Sequence, residues 1–209
     1  MSEDASTVFV VDDDESVGRA LGRLLRGAGY AVEVYTSAEA FIDCSQPNGP
    51  ACAIVDLAMP GMDGLELQAR LVDENREIGV VFLTGHGDIP ASVRAMKQGA
   101  VDFLIKPVDE SCLLQAIEVA LNRQQQIIAS RMQSAALRQR FDSLSGRECE
   151  VLQLVVDGLL NKQIAAELGI SEKTVKVHRS RVMHKTGART AAQLARLFVA
   201  ANTTTTNNI

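Results

Sequence analysis

Apolar residues fall into two rhythms along this chain. Over the first 122 residues, short runs rich in β-branched residues alternate with stretches of helical periodicity. The runs are VFVV at 8–11, AVEVY at 31–35, CAIVD at 52–56, GVVFLT at 79–84 and VDFLI at 101–105. Their nearly continuous apolarity predicts strands of a parallel sheet covered on both faces. Between them, Val17, Leu21, Leu24, Leu25 and Ala28 form a helical stripe that stops at Gly27 and Gly29. Leu65, Leu67, Ala69 and Leu71 belong to a second stripe, Val93, Met96 and Ala100 to a third, and Leu113, Leu114, Ile117 and Leu121 to a fourth. Five strands alternating with five helices predict a doubly wound five-stranded parallel α/β domain, whose ligand site lies at the carboxyl ends of its strands.

Beyond that point the rhythm is helical throughout. Residues 123–143 are rich in Gln, Arg and Ala and have no Gly or Pro, which predicts a helical linker continuous with the helix before it. Ile128, Met132 and Ala135 form a short candidate seam within it. SGRE at 145–148 is a capping box, followed by Val151, Leu152, Leu154 and Val155, and Gly158 ends that helix. Asn161 opens the next, with Ile164, Ala165 and Leu168 on one face and Gly169 at its end. Ser171 caps a longer helix to about Thr186, and a fourth follows Thr190 with Ala191, Leu194, Leu197 and Phe198 inward. Two helices joined by the short turn LGIS at 168–171 are a helix-turn-helix signal. The expected organisation is an α/β domain over 1–122, a linker over 123–143, an all-α four-helix domain over 144–200 and a disordered polar tail over 201–209, which includes NTTTTNN at 202–208.

Charge divides along the same line. The net charge of −5 over 209 residues hides +7 from residue 123 onward, with 13 Lys and Arg against 6 Asp and Glu, and −12 before it. An acidic front and a basic back predict two domains with different partners, the second compatible with nucleic acid. The N-terminus MSEDAST lacks the apolar core of a signal peptide, and no apolar run approaches the roughly 20 residues of a membrane span. A cytoplasmic protein without a membrane partner is expected. Cys44, Cys52, Cys112 and Cys149 are widely spaced, without CxxC, which argues against a zinc site or a disulfide framework.

The candidate chemistry sits at the strand ends. In VFVVDDDESV, four apolar residues run into Asp12, Asp13, Asp14 and Glu15. So much like charge at the end of a buried strand needs a counter-charge, or must diverge. Asp12 and Asp13 close the first strand, Asp56 the third and Thr84 the fourth, while Lys106, followed by Pro107, comes after the fifth. With the first and third strands as neighbours, Asp12, Asp13 and Asp56 are expected to converge. Three carboxylates are the ligand set of a hard divalent cation, and Mg²⁺ fits best. Asp14 is expected to leave the cluster and cap the first helix.

The motifs VVDDDES, IVDLAMPGMDG, FLTGHGD and GAVDFLIKP resemble those of the receiver domain of a two-component response regulator, across residues 1–122. The resemblance implies a CheY/flavodoxin-like fold with Asp56 as phosphoacceptor for a sensor histidine kinase. It implies Mg²⁺ on Asp12, Asp13, the Asp56 carboxylate and the Ala58 backbone carbonyl. It makes Thr84 and Lys106 the groups that bind the phosphoryl oxygens, Phe103 the switch aromatic that moves with Thr84, and Lys106–Pro107 a cis bond.

On a helix at 100° per residue, Val175, Val182 and Thr186 share one side, while Lys173, Val177, Ser180, Arg181 and His184 share the other, with Lys176 at its edge. An outward Val amid charges suits a thymine methyl in the major groove. The stretch LSGRECEVLQLVVDGLLNKQIAAELGISEKTVKVHRSRVMHKTGA resembles the DNA-binding domain of FixJ–NarL (LuxR-type) regulators, across 141–200. That resemblance makes 171–186 the recognition helix, with Lys176, Val177 and Ser180 at base edges and Lys162, Thr174, Arg181 and Lys185 near phosphates. Ser180 is shorter than the residue some relatives carry there. The expected protein is a transcription factor rather than an enzyme, apart from its own phosphorylation and dephosphorylation. It dimerises on phosphorylation through the fourth helix and fifth strand, and its partners are promoter DNA, a sensor kinase and RNA polymerase. A Mg²⁺ phosphatase is the competing reading, but it wants a second acid two residues after Asp56, where Ala58 stands.

Overall fold

Hydrogen bonding joins the five predicted runs into one parallel sheet. The computed structural model describes residues 6–44, 47, 49–85 and 89–203. Its strands are β1 (Thr7–Val11), β2 (Ala31–Tyr35), β3 (Ala51–Asp56), β4 (Gly79–Thr84) and β5 (Asp102–Ile105), in the order β2-β1-β3-β4-β5. Every neighbouring pair is parallel. β3 and β4 are buried at every position, as continuous apolar runs in the middle of a doubly covered sheet must be. Helices α1 (Glu15–Gly27), α2 (Ala38–Ile42), α3 (Gly64–Asp73), α4 (Ile89–Lys97) and the first half of α5 (Glu110–Asp142) alternate with the strands. Successive residues of a strand enter opposite cores. Phe9, Val55 and Phe82 pack with Phe41 and Leu67 on one face, whereas Val8, Ile54 and Val81 pack with Leu25 and Ile117 on the other.

α5 is a single helix of 33 residues. The chain divides into two compact units, Met1–Ile128 and Ala129–Ile209, and the boundary falls inside this helix. No Gly or Pro interrupts the sequence there, so nothing local ends the helix. Of the candidate seam, Ile128 is half-buried, whereas Met132 and Ala135 are exposed.

The second unit holds the end of α5 with α6 (Gly146–Val156), α7 (Asn161–Leu168), α8 (Glu172–Thr186) and α9 (Ala191–Thr203). Its core is Val151, Leu152, Val155, Ile164, Val175, Val182 and Leu194, with Phe141 edge-on to Phe198. Ser145 and Glu148 form the predicted capping box on α6, and the Ser171 hydroxyl accepts the Thr174 N–H at the start of α8. Gly169 and Gly187 end α7 and α8 in the left-handed region. α9 runs on through Asn202 and Thr203, so the first residues of the predicted tail are helical. The remainder of that tail, and His86, Gly87 and Asp88 of FLTGHGD, lie outside the described residues. No helix among the described residues is long and apolar enough to cross a membrane.

Candidate functional site

The four consecutive acids after β1 part company. Parallel pairing sets Val11 beside Val55, which brings Asp12 to the buried end of β3. Asp12 is buried, and its Oδ1 accepts the Asp14 N–H at 3.0 Å. Asp13 points to solvent, as the next residue of an extended segment does. Asp14 caps α1, its Oδ1 accepting from the Ser16 N–H at 2.7 Å and from the Ser16 hydroxyl at 2.6 Å. These bonds, the hydroxyl's first, hold its carboxyl below the usual carboxylate range. Glu15 pairs with Arg19 one turn on.

The counter-charge facing Asp12 comes from the chain itself. Lys106 Nζ donates to Asp12 Oδ2 at 2.7 Å and to Asp56 Oδ1 at 3.0 Å. Asp56 is 8% exposed at the end of β3, and its Oδ2 accepts the Ala58 N–H at 3.2 Å. Burial pushes the Asp56 carboxyl up, against the pull of Lys106. Burial works to lower Lys106, but its hydrogen bonds to Asp12 and Asp56 outweigh that and lift it. One ammonium therefore serves two carboxylates, and the cluster keeps a negative charge in excess.

The neighbouring strands complete the edge. Thr84 is buried at the end of β4, and its carbonyl accepts the Lys106 N–H at 2.7 Å. The Lys106–Pro107 peptide is cis. Phe103 is half-buried on β5 with its ring centroid 6.0 Å from that of Phe82, in the core cluster that includes Ala95 of α4. Gly64 opens α3 where a Cβ would lie 2.5 Å from the Asp56 carbonyl oxygen, so only glycine lets the helix start this close to β3.

Asp12 and Asp56 meet through Lys106, and Asp13, next in the chain, is exposed to solvent. Among the described residues no three His, Cys, Asp or Glu side chains gather closely enough to hold a metal ion. The donor set still suits a hard cation, because carboxylate oxygens with surplus negative charge are what Mg²⁺ takes.

On α8 the predicted division of faces holds. Val175, Val182 and Thr186 are buried, while Lys173, Lys176, Val177, Ser180, Arg181 and His184 are exposed or half-buried, Val177 being exposed by 45%. Lys162 is exposed near the start of α7. Thr174 is half-buried, with its hydroxyl 2.8 Å from that of Ser171. Lys185 departs from its expected role beside a phosphate. Its Nζ donates to Glu148 Oε2 at 2.6 Å and to the Ser143 carbonyl at 2.9 Å, which turns it inward. Glu148 is buried, and Lys185 draws its carboxyl from 4.5 down to about 2.

A family model described as the response regulator receiver domain matches residues 8–118. A second, described as bacterial regulatory proteins of the luxR family, matches residues 142–198. The chain is a two-component response regulator with a LuxR-type DNA-binding domain. Among its relatives, Nodulation protein W of Bradyrhizobium diazoefficiens is 45% identical over 91% of this chain and 84% of its own length. Response regulator protein TodT of Pseudomonas putida is 43% identical over 94% of this chain and 87% of its own. The solved structure of response regulator StyR is 49% identical, covers 93% of this chain and 98% of its own, and superposes with a TM-score of 0.83. Full-length FixJ from B. japonicum is 37% identical, covers 94% of this chain and 97% of its own, and superposes with a TM-score of 0.56.

Three features of the regulator escaped the sequence reading. The Asp63–Glu66 capping box on α3 carries the same cap-x-x-Glu spacing that SGRE gave for α6, with Asp in place of Ser, and was there to be read. The clash that reserves position 64 for glycine had no local signal. The Glu148–Lys185 pair joins residues 37 apart, and helix periodicity says nothing about such a partner.

Proposed function

We propose that the regulator accepts a phosphoryl group on Asp56 from a sensor histidine kinase, dimerises through its receiver and binds promoter DNA through α8. The observation that carries this reading is the buried Asp56 carboxylate at the topological switch point, sharing Lys106 with Asp12 beside Thr84. An Asp56 oxygen forms the bond to phosphorus as the bond from phosphorus to the kinase's histidine nitrogen breaks, and the electron pair leaves with that nitrogen. A carboxylate needs no deprotonation for this. The Lys106 ammonium offsets charge on the phosphoryl oxygens, and the Thr84 hydroxyl donates to one of them. Asp12, Asp13, Asp56 and the Ala58 carbonyl would hold Mg²⁺, which when bound supplies the positive charge that lets two anions meet.

Movement of Thr84 toward the phosphate frees space for Phe103, and α4 resettles over β5. Ile89, Val93 and Met96 of α4 and Ile105 of β5 are exposed apolar residues on that side. They give a dimer a surface to bury, which a packing switch of this kind can bias. A dimer matters because two small DNA-binding domains on adjacent half-sites gain affinity through effective concentration. On DNA, Lys176, Val177 and Ser180 read base edges, while Lys162, Thr174 and Arg181 meet phosphates. RNA polymerase is the further partner at the promoter.

The test is intact-mass measurement after incubation with a small acyl phosphate and Mg²⁺. The wild-type chain gains one phosphoryl group, and Asp56→Asn gains none. A phosphoryl group at the same stoichiometry on the Asp56→Asn chain removes the assignment. Light scattering on the same samples reports the dimer.

A further inference from the structure

Arg179 and Lys185 flank the exposed face of α8 on opposite sides. Taken from Lys173 at 100° per residue, they lie roughly 120° to either side of it. Both reach sideways to the amino end of another helix, but the groups they reach differ in charge. Lys185 meets the Glu148 carboxylate of α6 at 2.6 Å, so its charge is neutralised inside the domain. Arg179 Nη1 donates to the Asn161 Oδ1 of α7 at 2.9 Å, and an amide neutralises nothing. Among the described residues no carboxylate lies within ion-pair distance of Arg179.

Two lysines stand close to this bond in the chain and along the helix. Lys162 follows Asn161 in the chain, and Lys176 sits one turn before Arg179 on α8, both exposed. Like charges so close along the chain and the helix favour the approach of a polyanion. A guanidinium has five N–H donors in a planar fork, and Asn161 takes one of them. The bond to Asn161 therefore fixes the fork's orientation while half-buried Arg179 keeps donors for the two oxygens of a phosphate.

We propose that Arg179, oriented by Asn161, is a DNA-backbone contact, and that Lys185 in the mirror position is a structural tie that lends no charge to DNA. The inference rests on the DNA-binding role of this domain and adds a contact to it. It predicts which substitutions change the number of counterions released on binding.

The test uses the full chain and a random-sequence duplex of about 30 base pairs, with binding followed by fluorescence anisotropy across a salt series. The readout is the slope of log K against log salt, which flattens by about 0.9 for each phosphate the protein no longer neutralises. Arg179→Met is expected to flatten the slope by about that amount, and Arg179→Lys to keep it. Asn161→Asp retains the tie but gives Arg179 a carboxylate, so it is expected to flatten the slope at least as much with the fold intact. That variant keeps the test open should Arg179→Met unfold the domain. The double variant Lys185→Met/Glu148→Gln, which removes the other pair together, is expected to leave the slope unchanged. An unchanged slope in both Arg179→Met and Asn161→Asp overturns the proposal, as does an equal flattening in the Lys185 double variant. A wild-type chain that shows no salt-dependent binding at all removes the DNA-binding reading as well.

Discussion

Two lysines in this chain each hold a buried carboxylate, and they do opposite things. In the receiver, Lys106 is divided between Asp12 and Asp56, and burial still lifts Asp56. In the DNA-binding domain, Lys185 pairs with a single carboxylate, that of Glu148, which falls to about 2. The first cluster retains a negative charge and has use for another cation. The second is balanced and closed. Pairing a charge completely makes a structural joint, and pairing it incompletely makes a site.

Substitutions at the two lysines separate these two roles. Lys106→Met leaves two carboxylates in a confined site with no ammonium and removes the group that meets the phosphoryl oxygens. Acceptance of a phosphoryl group from a small acyl phosphate should fall by roughly 100- to 1000-fold, the usual loss for a preorganised electrostatic partner. A loss of less than about tenfold would mean that Lys106 only fills space.

Lys185→Met strands the Glu148 carboxylate in the domain, so the helix-turn-helix unit should melt well below the wild type in a thermal scan. Adding Glu148→Gln should restore most of the loss, because the stranded charge is gone. A surface phosphate contact would show neither the loss nor the rescue.

The next effect is on pH. Glu148 is held from 4.5 down to about 2, so its contribution to stability is fully present above pH 4.5 and is lost as the pH falls through about 2. An acid titration of unfolding should show the second unit weakening across that window, and Glu148→Gln should remove this dependence.

The smallest effects lie on the exposed face of α8. Lys176→Ala should weaken specific binding by roughly 1–3 kcal/mol and relax base preference. Lys162→Ala should weaken all sequences alike and flatten the salt slope by about 0.9. Equal loss of specificity in both variants would mean that α8 is not the reading helix.

Much of this was legible in the sequence because it is local. Continuous apolar runs gave β3 and β4 their buried places, and Ser145, Ser171 and Asp14 announced the helix starts they cap. The strand-end position of Asp12, Asp56, Thr84 and Lys106 was enough to bring them to one edge, because a parallel sheet aligns its carboxyl ends. What stayed hidden depends on direction and on distant partners. That Asp12 is buried while Asp13 is exposed was not read, although neighbours in an extended segment point apart. Lys185 was placed on DNA because a lysine near the edge of a basic helix faces solvent unless a buried acid claims it. That acid, Glu148, was visible only as a capping residue. Asn202 and Thr203 were assigned to the tail by composition, whereas α9 continues through both.

The incomplete charge at Asp56 is the centre of this account, and Mg²⁺ titration by calorimetry tests it directly. The wild-type regulator should bind one Mg²⁺, Asp12→Asn and Asp56→Asn should each abolish or sharply weaken that binding, and Glu148→Gln should leave it untouched. Binding that survives undiminished in both Asp12→Asn and Asp56→Asn would contradict the account.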